Sequence, residues 1–202
     1  MKKLLTIFCS VFLISNSAFA DGFFVGADVL RADVRQQARN SNSLFGADNG
    51  SGVNGNKMGY GVNAGIRGDL LFLVGSAELF YDNLDISTKS FNSASNTGDA
   101  MKIQNRYGAK VNVGTKIFPF VTSFLTLGLA NVDYEFTNQS NNNSKSDSQF
   151  SPLYGIGILV DLPLKITLKA SYDYQQFDDI APRGAKIRNR LGVAKVGVIY
   201  NF

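Results

Sequence analysis

The chain contains no histidine and no tryptophan, and only one cysteine and four prolines in 202 residues. Without histidine, the general base of the common hydrolases is missing and no imidazole metal site can form. No cofactor is expected. Cys9 sits in an apolar N-terminal run without the small residues that precede a lipoprotein cleavage site, so neither lipidation nor a disulfide is expected. Charge of one sign is also scarce. The formal net charge of +4 falls to +2 without Lys2 and Lys3, too dilute for a nucleic-acid partner. No later stretch is apolar over the roughly 20 residues a membrane helix needs. With 45% apolar residues, wholesale disorder is excluded. A membrane crossing by this chain would have to use strands.

Lys2 and Lys3 precede an apolar run from Leu4 to Ile14, then Ser15-Asn16-Ser17 and the small-x-small site Ala18-Phe19-Ala20. This is the pattern of a cleaved signal peptide over residues 1–20, with the mature chain beginning at Asp21. Residues 21–202 then form one domain.

Period-2 alternation recurs eight times. Phe23, Val25, Ala27 and Val29 alternate with Phe24, Gly26 and Asp28. Met58, Tyr60, Val62, Ala64 and Ile66 alternate with Gly59, Gly61, Asn63, Gly65 and Arg67. Further strands carry Leu71 to Tyr81, Tyr107 to Ile117, Leu125 to Leu129, Tyr154 to Val160 and Ile166 to Tyr174 on their apolar faces. An eighth runs from about Arg190 to Phe202. The connections alternate in length. Arg67-Gly68-Asp69, Phe118-Pro119-Phe120 and Asp161-Leu162-Pro163-Leu164 are expected as tight turns. The stretches Arg35 to Lys57, Asn83 to Asn105, Glu135 to Gln149 and Phe177 to Asn189 are expected as long polar loops. Ten glycines, among them Gly61, Gly108 and Gly197, fall on the polar face, where a narrow closed sheet crowds its concave side. Gly59-Tyr60-Gly61 lacks the spacing and the following helix of a nucleotide-binding fingerprint.

The last residues, Val198, Tyr200 and Phe202, stand two apart and end the chain on an aromatic. This tail resembles the assembly signal by which bacterial outer-membrane barrels are handed to their insertion machinery. Together with Gly22 to Ala27, Gly75 to Leu79 and Leu168 to Tyr174, it makes residues 21–202 similar to the opacity-protein and outer-membrane-protein-A-like family. The resemblance implies an all-β fold, an eight-stranded antiparallel up-and-down transmembrane barrel. Short turns would face the periplasm and long loops the outside of a Gram-negative cell. No periplasmic domain is expected after Phe202. Within this family, barrels serve as anchors, adhesins, antigens or narrow channels, so architecture does not fix activity. A soluble barrel would have the opposite facing, enclosing Leu125, Leu127 and Leu129.

On this facing the lumen receives Asp28, Glu78 and Asp173 against Lys110, Lys169 and Lys195. Strand heights predict the pairs Glu78–Lys110 and Asp28–Lys195. An eight-stranded interior is filled by side chains, so a structural ion-pair core is the main reading. The alternative, a low-conductance channel, rests on Lys169 and Lys195 lying at similar depth on neighbouring strands. Asp178 and Asp179 offer a carboxylate pair but no further catalytic group. Arg67-Gly68-Asp69 spells an integrin-binding tripeptide, yet as a periplasmic turn it would not meet a host. Arg183, Lys186, Arg188 and Arg190 in the final loop offer contacts to lipopolysaccharide phosphates or acidic host polysaccharide. Tyr60, Tyr81, Tyr107, Tyr154, Tyr172, Tyr174, Tyr200 and Phe202 suit an interfacial girdle. The expectation is a non-enzymatic surface protein with a structural or interaction role, in contact with lipid, lipopolysaccharide and a host or matrix ligand.

Overall fold

The computed structural model describes residues 22–39, 53–89, 100–138, 143–180 and 186–202. They form β1 (Phe23–Arg39), β2 (Val53–Leu70), β3 (Leu73–Lys89), β4 (Ala100–Phe118), β5 (Val121–Asn138), β6 (Asn143–Leu162), β7 (Ile166–Ile180) and β8 (Lys186–Asn201). The strands pair in chain order, and β8 returns to β1, closing a barrel in which every pairing is antiparallel. At the seam, the Phe202 amide donates to the Phe23 carbonyl over 2.9 Å.

The lower wall follows the alternation. In β2, Met58, Tyr60, Val62 and Ile66 are exposed on the outside, while Gly61 and Asn63 are buried inside. Leu125, Leu127 and Leu129 of β5 are likewise exposed, against buried Phe124 and Thr126. The inner face carries glycine where neighbouring strands crowd. A Cβ at Gly108 would stand inside van der Waals contact of the Leu129 carbonyl oxygen, whereas one at Gly75, on the outer face, would meet nothing within 4 Å.

Two sequence expectations are corrected. The first concerns turns and loops. Arg67-Gly68-Asp69 is not a turn: it lies within β2, with Gly68 opposite Gly75, and the turn is Leu71-Phe72. Strands also run well into the four expected loops. The connections outside the described residues shrink to 40–52, 90–99, 139–142 and 181–185.

The second concerns what those extra residues build. Pairing of β2 with β3 ends at Tyr60–Asn83, and pairing of β6 with β7 ends at Leu153–Gln175. Beyond these points β2 pairs with β1, β3 with β4, β6 with β5 and β7 with β8. The wall therefore splits along two seams. The sheet β7-β8-β1-β2 faces the sheet β3-β4-β5-β6. Between them lies an apolar core of Leu30, Ala32, Val34, Leu191 and Val193 against Leu84, Ile86, Ile103, Val132 and Tyr134, all buried. Outside, Arg31, Asp33, Arg35, Asn56 and Lys57 are exposed. The barrel opens into a small β-sandwich whose polarity is the reverse of the barrel's, as a water-facing element requires.

Bulges help the change of face. The β3–β4 register shifts between Asn83 and Ile86, where Asp85 has φ 44°, and the β4–β5 register shifts between Ile103 and Asn105. An extra residue in one strand reverses the parity beyond it, turning Ile103 inward.

Candidate functional site

The lumen of the barrel is built in layers. At the periplasmic mouth, Arg67 lies inside the wall and makes a two-pronged contact with Asp161 across the barrel, at 2.8 Å for each prong, and reaches Asp69 at 3.3 Å. Lys116 pairs with the same Asp69 at 2.5 Å, and the Thr167 hydroxyl donates to Asp161 over 2.7 Å. Above this rim, Phe24, Phe124, Leu159 and Ile199 form an apolar plug.

The charged layer follows. Lys169 Nζ lies 3.1 Å from Asp28 and 3.2 Å from Glu78. Glu78 is 3.4 Å from Lys110, which is also 3.4 Å from Asp173. Arg106 approaches Asp173 at 3.3 Å and Asp82 at 2.7 Å, and Lys195 meets Asp82 at 2.6 Å and Asp173 at 3.7 Å. Four carboxylates and four cations thus form one connected, neutral network. Their side chains are almost fully removed from solvent. Neutral donors add to it: Asn63 donates to Asp28 over 2.7 Å and Asn112 to Glu78 over 3.3 Å, while Asp28 Oδ1, Asp173 Oδ1 and Arg106 Nη1 accept or donate no hydrogen bond. Phe80 projects into its centre, with the Lys195 ammonium 4.8 Å and the Arg106 and Lys110 cations 5.2 Å from its ring centre. In a dry lumen such charges persist only when paired and hydrogen-bonded.

All six sequence-predicted lumen charges lie inside. The structure brings Glu78 to Lys110 but does not bring Asp28 to Lys195. Asp28 stands opposite Gly197 in the β1–β8 register, so Lys195 is displaced two residues upward and reaches over the axis to Asp82, leaving Asp28 to Lys169. Asp82 and Arg106 were missed. Asp82 continues the inward series of Ser76, Glu78 and Phe80, and Arg106 precedes Tyr107, where the apolar outer face of β4 begins. Reading both strands one step further on their inner faces finds the pair. Lys169 and Lys195 each hold their own carboxylates, so their like-charge proximity is neutralised. The void beside Glu78 and Lys169 measures about 20 Å³, room for about one water.

On the sandwich, Asp85 bridges three strands, 2.5 Å from Lys57 of β2 and 2.7 Å from Lys102 of β4. It is therefore a clip across the β2–β3 seam. Hydrogen bonds from both ammonium groups hold the Asp85 carboxyl down at about 2, and Asp85 in turn raises the Lys102 ammonium above its ordinary value. Of the four cations expected in the final loop, Arg183 lies outside the described residues. Lys186 and Arg188 belong to β8, though their side chains lie outside the described set, and Arg190 is half-buried on the same strand. Asp178 and Asp179 lie on β7, also with their side chains outside that set. The assembly residues Val198, Tyr200 and Phe202 point outward; the Phe202 ring lies 5.6 Å from Phe23 and 5.1 Å from Tyr200.

The chain matches the family of the outer membrane protein beta-barrel domain over residues 6–202. It belongs to that family. Its place is the Gram-negative outer membrane. Among solved structures it is similar to Ail, the attachment invasion locus protein of Yersinia pestis, at 18% identity and a TM-score of 0.51, covering 90% of this chain and 99% of Ail. Neisserial surface protein A is also 18% identical, with a TM-score of 0.56, covering 90% of this chain and 97% of the other. The Escherichia coli outer membrane protease OmpT shares the fold at 7% identity and a TM-score of 0.51, over 93% of this chain and 99% of its own. No curated protein matches by sequence. At these identities the structural likeness concerns the fold alone.

Proposed function

We propose that this barrel is a non-enzymatic surface-interaction protein whose sandwich carries the loops toward anionic ligands outside the cell. The observation that carries the reading is the sandwich itself. The strands do not stop at the lipid boundary but continue as two sheets with their own apolar core, a rigid support for extracellular segments. The lumen, by contrast, is occupied by charges paired with one another in a connected network, which supports anchorage rather than passage or catalysis.

The anionic partner is suggested by the β1–β8 edge. The register places Arg35 opposite Arg190, Gln37 opposite Arg188 and Arg39 opposite Lys186. Like charges directly opposite one another repel; Asp178 stands opposite Arg188 in the β7–β8 register, whereas Arg35 and Arg190 have no acidic residue opposite them, so that pair calls for a counter-charge. Lipopolysaccharide phosphates or acidic polysaccharide would supply it. Ail has been crystallised with the heparin analogue sucrose octasulfate, a precedent for such a ligand on this fold. Residues 1–20 fit a cleaved leader, and Val198, Tyr200 and Phe202 fit the signal read by the insertion machinery.

The deciding experiment measures binding of purified protein to lipopolysaccharide and to heparin before and after Arg35→Ser/Arg190→Ser, and after single deletion of segments 40–52, 90–99, 139–142 and 181–185. Loss of salt-sensitive binding in the double variant supports the reading. Unchanged binding throughout, or steady conductance in planar bilayers, contradicts it.

A further inference from the structure

The second seam of the wall leaves a strand edge in water. Past the pair Leu153–Gln175, β7 ends at Ile180, whereas β6 continues to Asn143 and, among the described residues, pairs with β5 alone. Such an edge presents a row of backbone N–H and C=O groups, and folded chains either guard it or use it to pair with another strand.

Ser148 shows which groups face outward. Its amide donates to Asp147 Oδ1 over 2.9 Å and so points away from β5. In an antiparallel ladder one residue turns both its N–H and its C=O to one neighbour, and the next residue turns both to the other side. Ser144, Ser146 and Ser148 therefore present their backbone groups to the open edge, while Lys145 and Asp147 stand opposite Phe136 and Tyr134 and bond to β5. Ser146, Asp147 and Ser148 are all exposed. At Ser148 the neighbouring carboxylate stands in for a missing strand.

The stretch Ser144-Lys145-Ser146-Asp147-Ser148 is its own antiparallel complement in charge. Turned end for end about Ser146, it sets Ser146 against Ser146, Ser144 against Ser148 and Lys145 against Asp147. The serine pairs then fall at hydrogen-bonded positions, where they exchange about six backbone bonds. The Lys145–Asp147 pairs fall at the closer, non-hydrogen-bonded positions, where opposite charges stabilise a sheet.

We propose that this edge of β6 pairs with the same edge of a second copy, so that the sheet β3-β4-β5-β6 continues through a two-fold, self-complementary contact. On pairing, the Ser148 amide exchanges the Asp147 carboxylate for the Ser144 carbonyl of the second copy. The freed carboxylate turns to Lys145 of that copy. In one membrane every β6 runs in the same direction, from outside toward the periplasm, so the antiparallel contact joins barrels in two facing membranes. Each contact is small and acts through many copies on apposed surfaces. It uses the sheet opposite the Arg35–Arg190 pair, and is independent of any anionic ligand there.

The test uses the refolded protein in phosphatidylcholine vesicles free of lipopolysaccharide, with aggregation followed by turbidity and folding of every variant checked by heat-modifiable migration. Wild-type vesicles should aggregate. Lys145→Asp alone and Asp147→Lys alone set like charges opposite one another and should each slow aggregation roughly fivefold or more. Mixing the two populations, or exchanging both residues in one chain, should restore it, and Arg35→Ser/Arg190→Ser should leave it unchanged. As a second readout, Ser146→Cys in a Cys9→Ser background places two thiols across the axis on Cα atoms about 5.5 Å apart, within disulfide reach. Diamide should link that variant into dimers and leave Arg31→Cys monomeric. Wild-type vesicles that stay dispersed, or single variants that the mixture does not rescue, would overturn the proposal.

Discussion

Within the barrel, β1 sends Val25, Ala27 and Val29 to the outside and Gly26 and Asp28 to the lumen; a few residues higher, the same strand sends Arg31, Asp33 and Arg35 outside and Leu30, Ala32 and Val34 inside. The backbone alternation is continuous and the chemistry inverts. In lipid, the outer face gains nothing from polar groups and the small lumen stabilises charge only by pairing. In water, the outer face is solvated and the interior must be apolar to repay the ordering of the strands. One sheet serves two solvents, and the crossover marks where the second begins. Exposed Tyr60, Tyr81, Tyr107 and Tyr154 stand close to it, with polar tips suited to that boundary.

Four changes sharpen this contrast, ordered by size. The largest effect belongs to the lumen. Asp82→Ala removes the carboxylate between Arg106 and Lys195 and leaves buried cations short of a partner, which typically costs about 3–5 kcal/mol. The expected result is a large drop in the urea midpoint of the lipid-reconstituted protein, with Asp85→Ala on the sandwich far milder. Second, Leu84→Ala cuts the sandwich core and should cost about 2–5 kcal/mol of local stability. Hydrogen exchange should accelerate in β3 and β4 above Asn83 while the barrel amides below stay protected.

Third, Leu127→Ala on the lipid face should cost less than Leu84→Ala, under about 1.5 kcal/mol, because acyl chains refill the space that a protein core cannot. A comparison of the two unfolding midpoints checks the difference. The smallest effect is the Asp85 clip. Its carboxyl is lowered from 3.8 to about 2, so its contribution is fully present above about pH 4 and is lost as pH falls toward 2. Amide exchange near the β2–β3 seam should rise over that interval in the wild type, and Asp85→Asn should abolish the pH step.

The lipid-crossing half was legible in the sequence because its outer face is uniformly apolar over many alternations. Met58 to Ile66 and Ile166 to Tyr174 leave no doubt about which side is which. The sandwich was not read, for two physical reasons. A search for outward apolar residues stops where water begins, so Leu84 and Ile103 fell into an expected loop, and Ala32 and Val34 were left between the first strand and its loop, although all four are core. A bulge at Gln104 then breaks the parity of β4 that could have carried the reading onward. A signal was present all the same. Val29-Leu30, Leu129-Ala130 and Val193-Ala194 each place two apolar residues side by side, and the apolar series changes from odd to even, or the reverse, at that step. Such a doublet in an alternating strand marks the change of solvent. The charge network was partly legible: its members on the regular strands were found, while Asp82 and Arg106, just below the crossover, were missed. The Asp28–Lys195 expectation failed because height along the axis does not fix which charges meet across a narrow lumen.

The inversion is tested most directly by nuclear Overhauser contacts of the β1 methyl groups to lipid chains and to water in a nanodisc. Val25, Ala27 and Val29 should show strong lipid contacts, and Ala32 and Val34 neither lipid nor water contacts. Lipid contacts at Val34, or water contacts at Val29, would contradict the account.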